Sequence, residues 1–266
     1  MGKAARAKQQ RRVAPPPPVG KQSARDQNRK TVIVATAGLV AAVAVIAIVL
    51  LVTRSSPSVP KAAPETASDK NASASLIAAA DAVNFHPTTE AGVGVIENKS
   101  ADSAPPIDPT LLPVGSVAPT FTLKTPEGKS YSLSQYRGKT VLLEFFATWC
   151  PHCNAEAPHL RKIALSFAKN TGLAFLSVNA DGETAPSIYA FHRYYGLPYP
   201  ALVDSSSQPG SFNAPGAPGP VSTKYKVESY PTFYLVGPTG KIVWRNDGEQ
   251  PDALMRELLT KYAARA

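Results

Sequence analysis

Cysteine is nearly absent from this chain. There are two in 266 residues, and both lie in Cys150-Pro151-His152-Cys153. No second C-x-x-C and no closely spaced histidine pair is present, which removes the four ligands that a structural zinc site needs. Covalent haem attachment would require histidine directly after Cys153, and Asn154 stands there. A bridge across two residues constrains the unfolded chain little, so a purely stabilising disulfide is a poor use of the pair. What survives is redox chemistry. A C-x-x-C pair beside an alternating β/α pattern reads as a dithiol/disulfide centre. The spacing suits it: a thiolate at a helix start attacks a disulfide, and a thiol one turn on reaches back to resolve the mixed disulfide.

The chain also lacks a distributed basic surface, despite a formal charge of +9. Nine Lys and Arg stand against Asp26 alone in residues 1–30, so nearly all the excess is confined there. A tail and not a binding face carries the charge, and no nucleic-acid partner is expected. With Pro15 to Pro18 and no apolar periodicity, 1–30 reads as a disordered basic tail. Residues 31–53 form an uncharged Val/Ala/Ile/Leu run ended by Arg54. The run is long enough to cross a hydrocarbon core of about 30 Å and too long for a signal-peptide apolar region. It predicts a single transmembrane helix in the lipid bilayer, basic side cytoplasmic and everything after Arg54 extracytoplasmic, where disulfides persist.

Residues 54–112 are expected to be a linker or extension. The Ser/Ala/Pro/Lys-rich part to residue 75 would span about 25 Å as a coil. Leu76–Phe85 is helix-like and Val93–Ile96 strand-like. The regular domain is expected over 113–266. A hairpin is predicted around Pro126-Glu127-Gly128 and a short helical turn at Ser134–Arg137. Val141–Phe146 reads as a central strand covered on both faces, followed by a helix from Pro151 to Lys169 closed by Gly172. A strand Leu173–Val178, a helix Ala185–Tyr195 stopped by Gly196, and a short strand Ala201–Val203 come next. A hairpin of Thr232–Val236 and Lys241–Trp244 precedes a last helix from Pro251–Asp252, with Leu254, Leu258 and Tyr262 on one face. This alternation predicts an α/β fold with helices on a sheet.

Four features in this order resemble the thioredoxin superfamily, and within it the membrane-anchored TlpA/ResA-like, redoxin-type thiol:disulfide oxidoreductases. They are the opening Val114-Gly115-x-x-Ala118-Pro119-x-Phe121-x-Leu123, the Trp149-Cys150-x-x-Cys153 site, Pro158 in the following helix, and Tyr230-Pro231-Thr232 before the hairpin. The resemblance covers residues 113–266. It implies a thioredoxin-like three-layer α/β fold with a mixed central sheet, here preceded by the transmembrane helix and linker.

Cys150 at the helix start, where backbone N–H groups and the helix dipole favour a thiolate, is expected to be the exposed nucleophile. Cys153 is expected to be the buried resolving thiol, and the two to form the reversible disulfide. His152 would lower the Cys150 pKa further. Glu144, an acid inside an apolar strand, is costly unless it has a task; the resemblance makes it the proton shuttle of the second cysteine. It also implies a cis bond before Pro231, leaving the Tyr230 backbone to pair with a substrate strand, with Trp149, Tyr230 and Thr232 around the substrate. His159 and His192 read as solvent-facing helix residues. No metal and no cofactor is expected. The Ser205–Ser222 stretch is longer than the family's connection and reads as a surface insertion, with a substrate-facing loop as the alternative.

The expected partners are cysteine-containing extracytoplasmic proteins, apocytochrome c being one candidate, and a redox partner in the membrane. Pro151-His152 favours an oxidant, whereas the buried acid and the reductive branch favour a reductase. Peroxide reduction would require Pro at 143 and Thr or Ser at 147, where Leu143 and Ala147 stand. A thioredoxin-like copper-delivery module would space its cysteines by three residues rather than two.

Overall fold

The computed structural model describes residues 70, 72–89, 101, 106–206, 208, 210 and 215–263. All belong to one compact unit, 63–266. The expected basic tail, the apolar run 31–53 and the strand-like Val93–Ile96 lie outside the described residues. Among the described residues no helix is long and apolar enough to cross a membrane.

A first helix, α1 (Ala74–Val83), precedes strands β1 (Thr122–Lys124) and β2 (Ser130–Ser132), a 3-10 turn (Leu133–Tyr136), and β3 (Thr140–Phe146). Helix α2 (Pro151–Ser166), β4 (Leu173–Asn179), α3 (Ala185–Tyr195), β5 (Ala201–Val203) and the short α4 (Pro220–Lys224) follow. The chain closes with β6 (Thr232–Val236), β7 (Ile242–Asp247) and α5 (Asp252–Tyr262). The strands form one sheet in the order β2-β1-β5-β4-β3-β6-β7. β3, β4 and β5 run parallel, while β6 is antiparallel to β3. This is the mixed thioredoxin-like sheet.

Strand β3 is buried along its whole length, as its apolar run requires. Val141, Leu143 and Phe145 face one cluster with Tyr225 and Tyr234, and Leu142 faces the other with Leu160, Ile163, Met255 and Leu259. Alternation therefore puts Leu142, Glu144 and Phe146 on the side of α2 and α5. Burying each such Leu or Phe is worth about 1.5–3 kcal/mol, which fixes the strand register. Helix α2 ends at Ser166, earlier than expected, and Gly172 is not its cap. The chain leaves the helix at Phe167, and Asn170 accepts the Gly172 N–H at 3.0 Å. Strand β7 continues past Trp244 to Asp247 because its ladder with β6 extends to Thr232.

Helix α1 docks on the domain. Ser73 caps it by accepting the Leu76 N–H, and Ala80 packs on Tyr189 and Ala190 of α3. Phe85 meets Phe191 edge to face at 5.6 Å, and Asp81 pairs with Arg193.

Candidate active site

The C-terminal end of β3 runs through Ala147–Trp149 into α2, with Cys150 as N-cap and Pro151 in the first turn. Proline is tolerated there because its missing N–H would have no intrahelical partner. Both cysteines are in the dithiol form. A hydrogen bond from Cys153 is the largest influence on Cys150; it outweighs burial, with help from the backbone N–H groups of Cys153 and His152, and brings the thiol down to about 7. Burial, and the thiolate character of its neighbour, push Cys153 up. The two thiols are therefore electrically distinct.

Cys150 is only 5% exposed, contrary to the exposed nucleophile expected. Its thiol turns inward and donates to the Tyr230 carbonyl at 3.4 Å. The Tyr230–Pro231 bond is cis, as anticipated. Trp149 packs edge to face on the Tyr230 ring with centroids 6.0 Å apart. Thr232, expected beside a substrate, is fully buried. Its hydroxyl donates to the Ser229 carbonyl at 2.7 Å, and its backbone is committed to the β3 and β7 ladders, so it shapes the turn instead.

Three polar side chains that the sequence did not single out hold this loop. Glu183, just past β4, accepts the Thr148 N–H at 2.7 Å and also the Thr148 hydroxyl. Asn154 donates to the carbonyls of Thr148 and Cys150 at 2.9 and 2.7 Å, and itself accepts from Tyr195. Asp181 accepts the Trp149 indole N–H at 2.8 Å. The sequence signal for Asp181 and Glu183 was acidic residues at the end of an apolar strand in a parallel pair, where sites gather.

Glu144 is 3% exposed and lies on the α2 face of the sheet. Burial pushes its carboxyl up to about 8, and the neighbouring Ser177 and Tyr199 hydroxyls offset only part of that. Its charge reaches Cys153 and helps hold that thiol up. A second buried acid, Glu156, was missed. It sits one turn after Cys153 on the inner face of α2, is pushed well up by burial and by Glu144, and accepts the Gln250 N–H at 3.3 Å. Its Oε1 has no hydrogen-bond partner among the described residues. The stripe Cys153, Ala157, Leu160, Ala164 marked that face as buried, and an acid inside it was the available signal.

The histidines divide differently from expectation. His152 is 48% exposed, and its Nδ1 lies 2.8 Å from Glu249. Its charge is the least of the influences lowering Cys150. His159 and His192, expected at the surface, are both buried. His159 faces Asp252, with nitrogen and oxygen 3.4 Å apart. His192 packs on Phe146 and Tyr199 and is brought down to about 3 by burial, hence neutral. Among the described residues no cluster of three or more His, Cys, Asp or Glu could hold a metal ion.

The described parts of the 205–222 stretch are tied to the site. The Gly216 N–H donates to Asp181 Oδ2 at 2.7 Å, the same oxygen that takes the Trp149 indole, and Gly210 N–H donates to the Asp181 carbonyl at 2.9 Å. A Cβ on Gly210 would lie 1.8 Å from Asp181 Oδ2, so only glycine permits the approach. Asp204 accepts from Val221 N–H, Ser222 N–H and the Ser222 hydroxyl, which anchors α4. The surface-insertion reading thus understates it: this stretch borders Trp149.

A model of the AhpC/TSA family matches residues 114–245. The thiol-disulfide oxidoreductase ResA of Geobacillus thermodenitrificans is 34% identical over 133 residues, 50% of this chain and 68% of that protein. ResA of Bacillus subtilis is 31% identical over 145 residues, 54% of this chain and 73% of that one. Among solved structures, the thioredoxin domain of a thiol-disulfide oxidoreductase from Bacteroides vulgatus aligns with a TM-score of 0.46 at 26% identity, covering 57% of this chain and 99% of that chain. A dithiol at a helix start, a cis-proline facing it and relatives aligned over two thirds of their length lead to one conclusion: the chain belongs to the AhpC/TSA family of thioredoxin-like proteins, among its ResA-like thiol-disulfide oxidoreductases.

Proposed function

We propose that this thiol-disulfide oxidoreductase is anchored in the membrane by residues 31–53 and exchanges its Cys150–Cys153 dithiol with cysteine-containing proteins outside the cytoplasm. The observation that carries the site assignment is the asymmetry of the two thiols. Cys150 is lowered to about 7 beside the Tyr230 carbonyl, while Cys153 is wholly buried and pushed up. A group ionised near neutrality is the nucleophile, and one held protonated attacks only after giving up its proton.

The Cys150 thiolate attacks a substrate disulfide, one substrate sulfur leaves as a thiolate, and a mixed disulfide forms. Cys153 then transfers its proton to Glu144 and attacks Cys150, closing the Cys150–Cys153 bond and expelling the second substrate thiolate. The reverse sequence oxidises a substrate dithiol. Trp149, Tyr230 and Pro231 border the approach of the substrate, and His152 adjusts Cys150 from the solvent side. The anchoring rests on the uncharged run between Lys30 and Arg54 with its basic flank. Apocytochrome c is one substrate of the right chemistry, and a membrane protein with an exposed dithiol would return the electrons.

The test is trapping in the full-length protein. Cys153→Ser should accumulate mixed disulfides with extracytoplasmic proteins, and Cys150→Ser should abolish exchange with a model protein disulfide. Capture of nothing by the first, with activity surviving in the second, would sink the assignment.

A further inference from the structure

Cys153 and Glu144 are sealed from solvent, so a proton passed from one to the other has no direct way out. A way lies on the opposite side of Glu144. Its register partner on β4 is Ser177, fully buried, whose hydroxyl works against the burial that raises Glu144. The Ser177 hydroxyl oxygen is 2.9 Å from His192 Nε2. His192 in turn lines a cavity of about 280 Å3 with Tyr189, Tyr199 and the β1–β2 hairpin residues Thr125, Lys129 and Tyr131. The cavity shares Leu197, Ala201 and Tyr199 with the packing around the two cysteines, and the catalytic scheme above leaves both Ser177 and His192 without a task.

We propose that Ser177 and His192 form a proton relay that joins Glu144, and through it the Cys153 thiol, to solvent in this cavity. The inference rests on Glu144 being the proton acceptor of Cys153. The polar groups that face the relay are few. Glu144 and Tyr199 adjoin its inner end, and Glu127, Lys129, Tyr131 and Tyr189 line the cavity. Phe146 and Phe191 pack tilted against the imidazole.

The donors can be ordered in one direction. Protonated Glu144 donates to the Ser177 oxygen, the Ser177 hydroxyl donates to His192 Nε2, and the neutral ring carries its own proton on Nδ1. When Glu144 has taken the Cys153 proton, it passes a proton to Ser177 as the hydroxyl proton moves to Nε2, and Nδ1 releases one to water. The expelled substrate thiolate is protonated from solvent, so no proton is gained or lost overall. A neutral imidazole suits this task because it accepts at one nitrogen while it donates at the other.

The decay of a preformed Cys150 mixed disulfide with a peptide thiol, followed in a single turnover on the full-length protein, isolates the step that the relay serves. Ser177→Ala and His192→Ala should each slow it roughly a hundredfold, at the low end of the range for assisted proton transfer, with Cys150 alkylation unchanged. Added imidazole should restore His192→Ala but not Ser177→Ala. Rescue of neither, or wild-type decay in folded Ser177→Ala beside a slow Glu144→Gln, would overturn the relay alone. Wild-type decay in Glu144→Gln would instead overturn the Glu144 reading beneath it. If His192→Ala does not fold, Ser177→Ala decides, since it removes one hydroxyl and little volume.

Discussion

Trp149 and Gly216 donate to the same oxygen, Asp181 Oδ2, at 2.8 and 2.7 Å. The indole beside the active-site dithiol and a loop 67 positions later are thereby set by one carboxylate. Replacing Asp181 by Ala leaves both donors without an acceptor, at a cost of about 1–3 kcal/mol for each that stays buried. The expected outcome is a lower melting temperature together with a shifted Trp149 emission in a Trp244→Phe background. Asp181→Asn, which keeps one acceptor, should fall between. A variant that melts and fluoresces like the parent would mean the loop is held by other contacts.

Glu144 gives stability a definite pH slope. Its folded-state carboxyl is raised to about 8 from 4.5, so folding takes up a proton. That contribution is whole below about pH 4.5 and is lost as pH rises through 8. Glu156 acts in the same direction. Cys150, lowered from 9.0 to about 7, acts oppositely above neutrality, so the clean window is about pH 4.5 to 7. Across it, Glu144→Gln should remove on the order of 3 kcal/mol of the decline seen in the parent. Denaturant melts at several pH values measure this, and parallel slopes for the two proteins would refute it.

His152 stands near the thiolate but faces Glu249, and the charge of its ring is the smallest of the influences acting on Cys150. His152→Glu should raise the Cys150 pKa from near neutrality and move the couple toward reduction by no more than about 30 mV, a tenfold change in equilibrium. Alkylation rates against pH and equilibration with glutathione report the two quantities. A shift well beyond this would restore His152 as the principal tuner.

A reporter fused after Ala266 that is active only outside the cytoplasm is the expected result for the proposed topology. Activity only inside would overturn the anchor's orientation and, with it, the oxidising compartment.

The redox centre and the sheet were legible because their signals are local. Cys150 and Cys153 sit in four consecutive residues, and Val141–Phe146 is apolar without a gap save Glu144. The strands that pair with it were recognisable one at a time. The groups that shape the loop were not, because each acts across the fold. Glu183 reaches Thr148 from the next strand, Gln250 reaches Glu156 from 94 residues away, and Asp181 collects donors from two distant segments. His192 looked like a surface residue since its neighbours in sequence, Phe191 and Arg193, give no single periodicity. It is buried because the Phe146 and Tyr199 rings close over it. Helix α1 showed a helical composition, but its seat on α3 depends on Tyr189 and Phe191, over a hundred residues later.

The bond from the Cys150 thiol to the Tyr230 carbonyl gives the resting enzyme a form of chemical discretion. A small diffusing oxidant meets a sulfur tucked under Trp149 and Tyr230 and brings nothing to exchange for the carbonyl. Under the proposed function, an extended polypeptide would offer a backbone N–H to that carbonyl as its own sulfur arrives, so the grip on the thiol would be released by the molecule about to react with it. Selection under that function would be by main chain before side chain: the site would answer to the presence of a peptide and tolerate many sequences around the cysteine it carries.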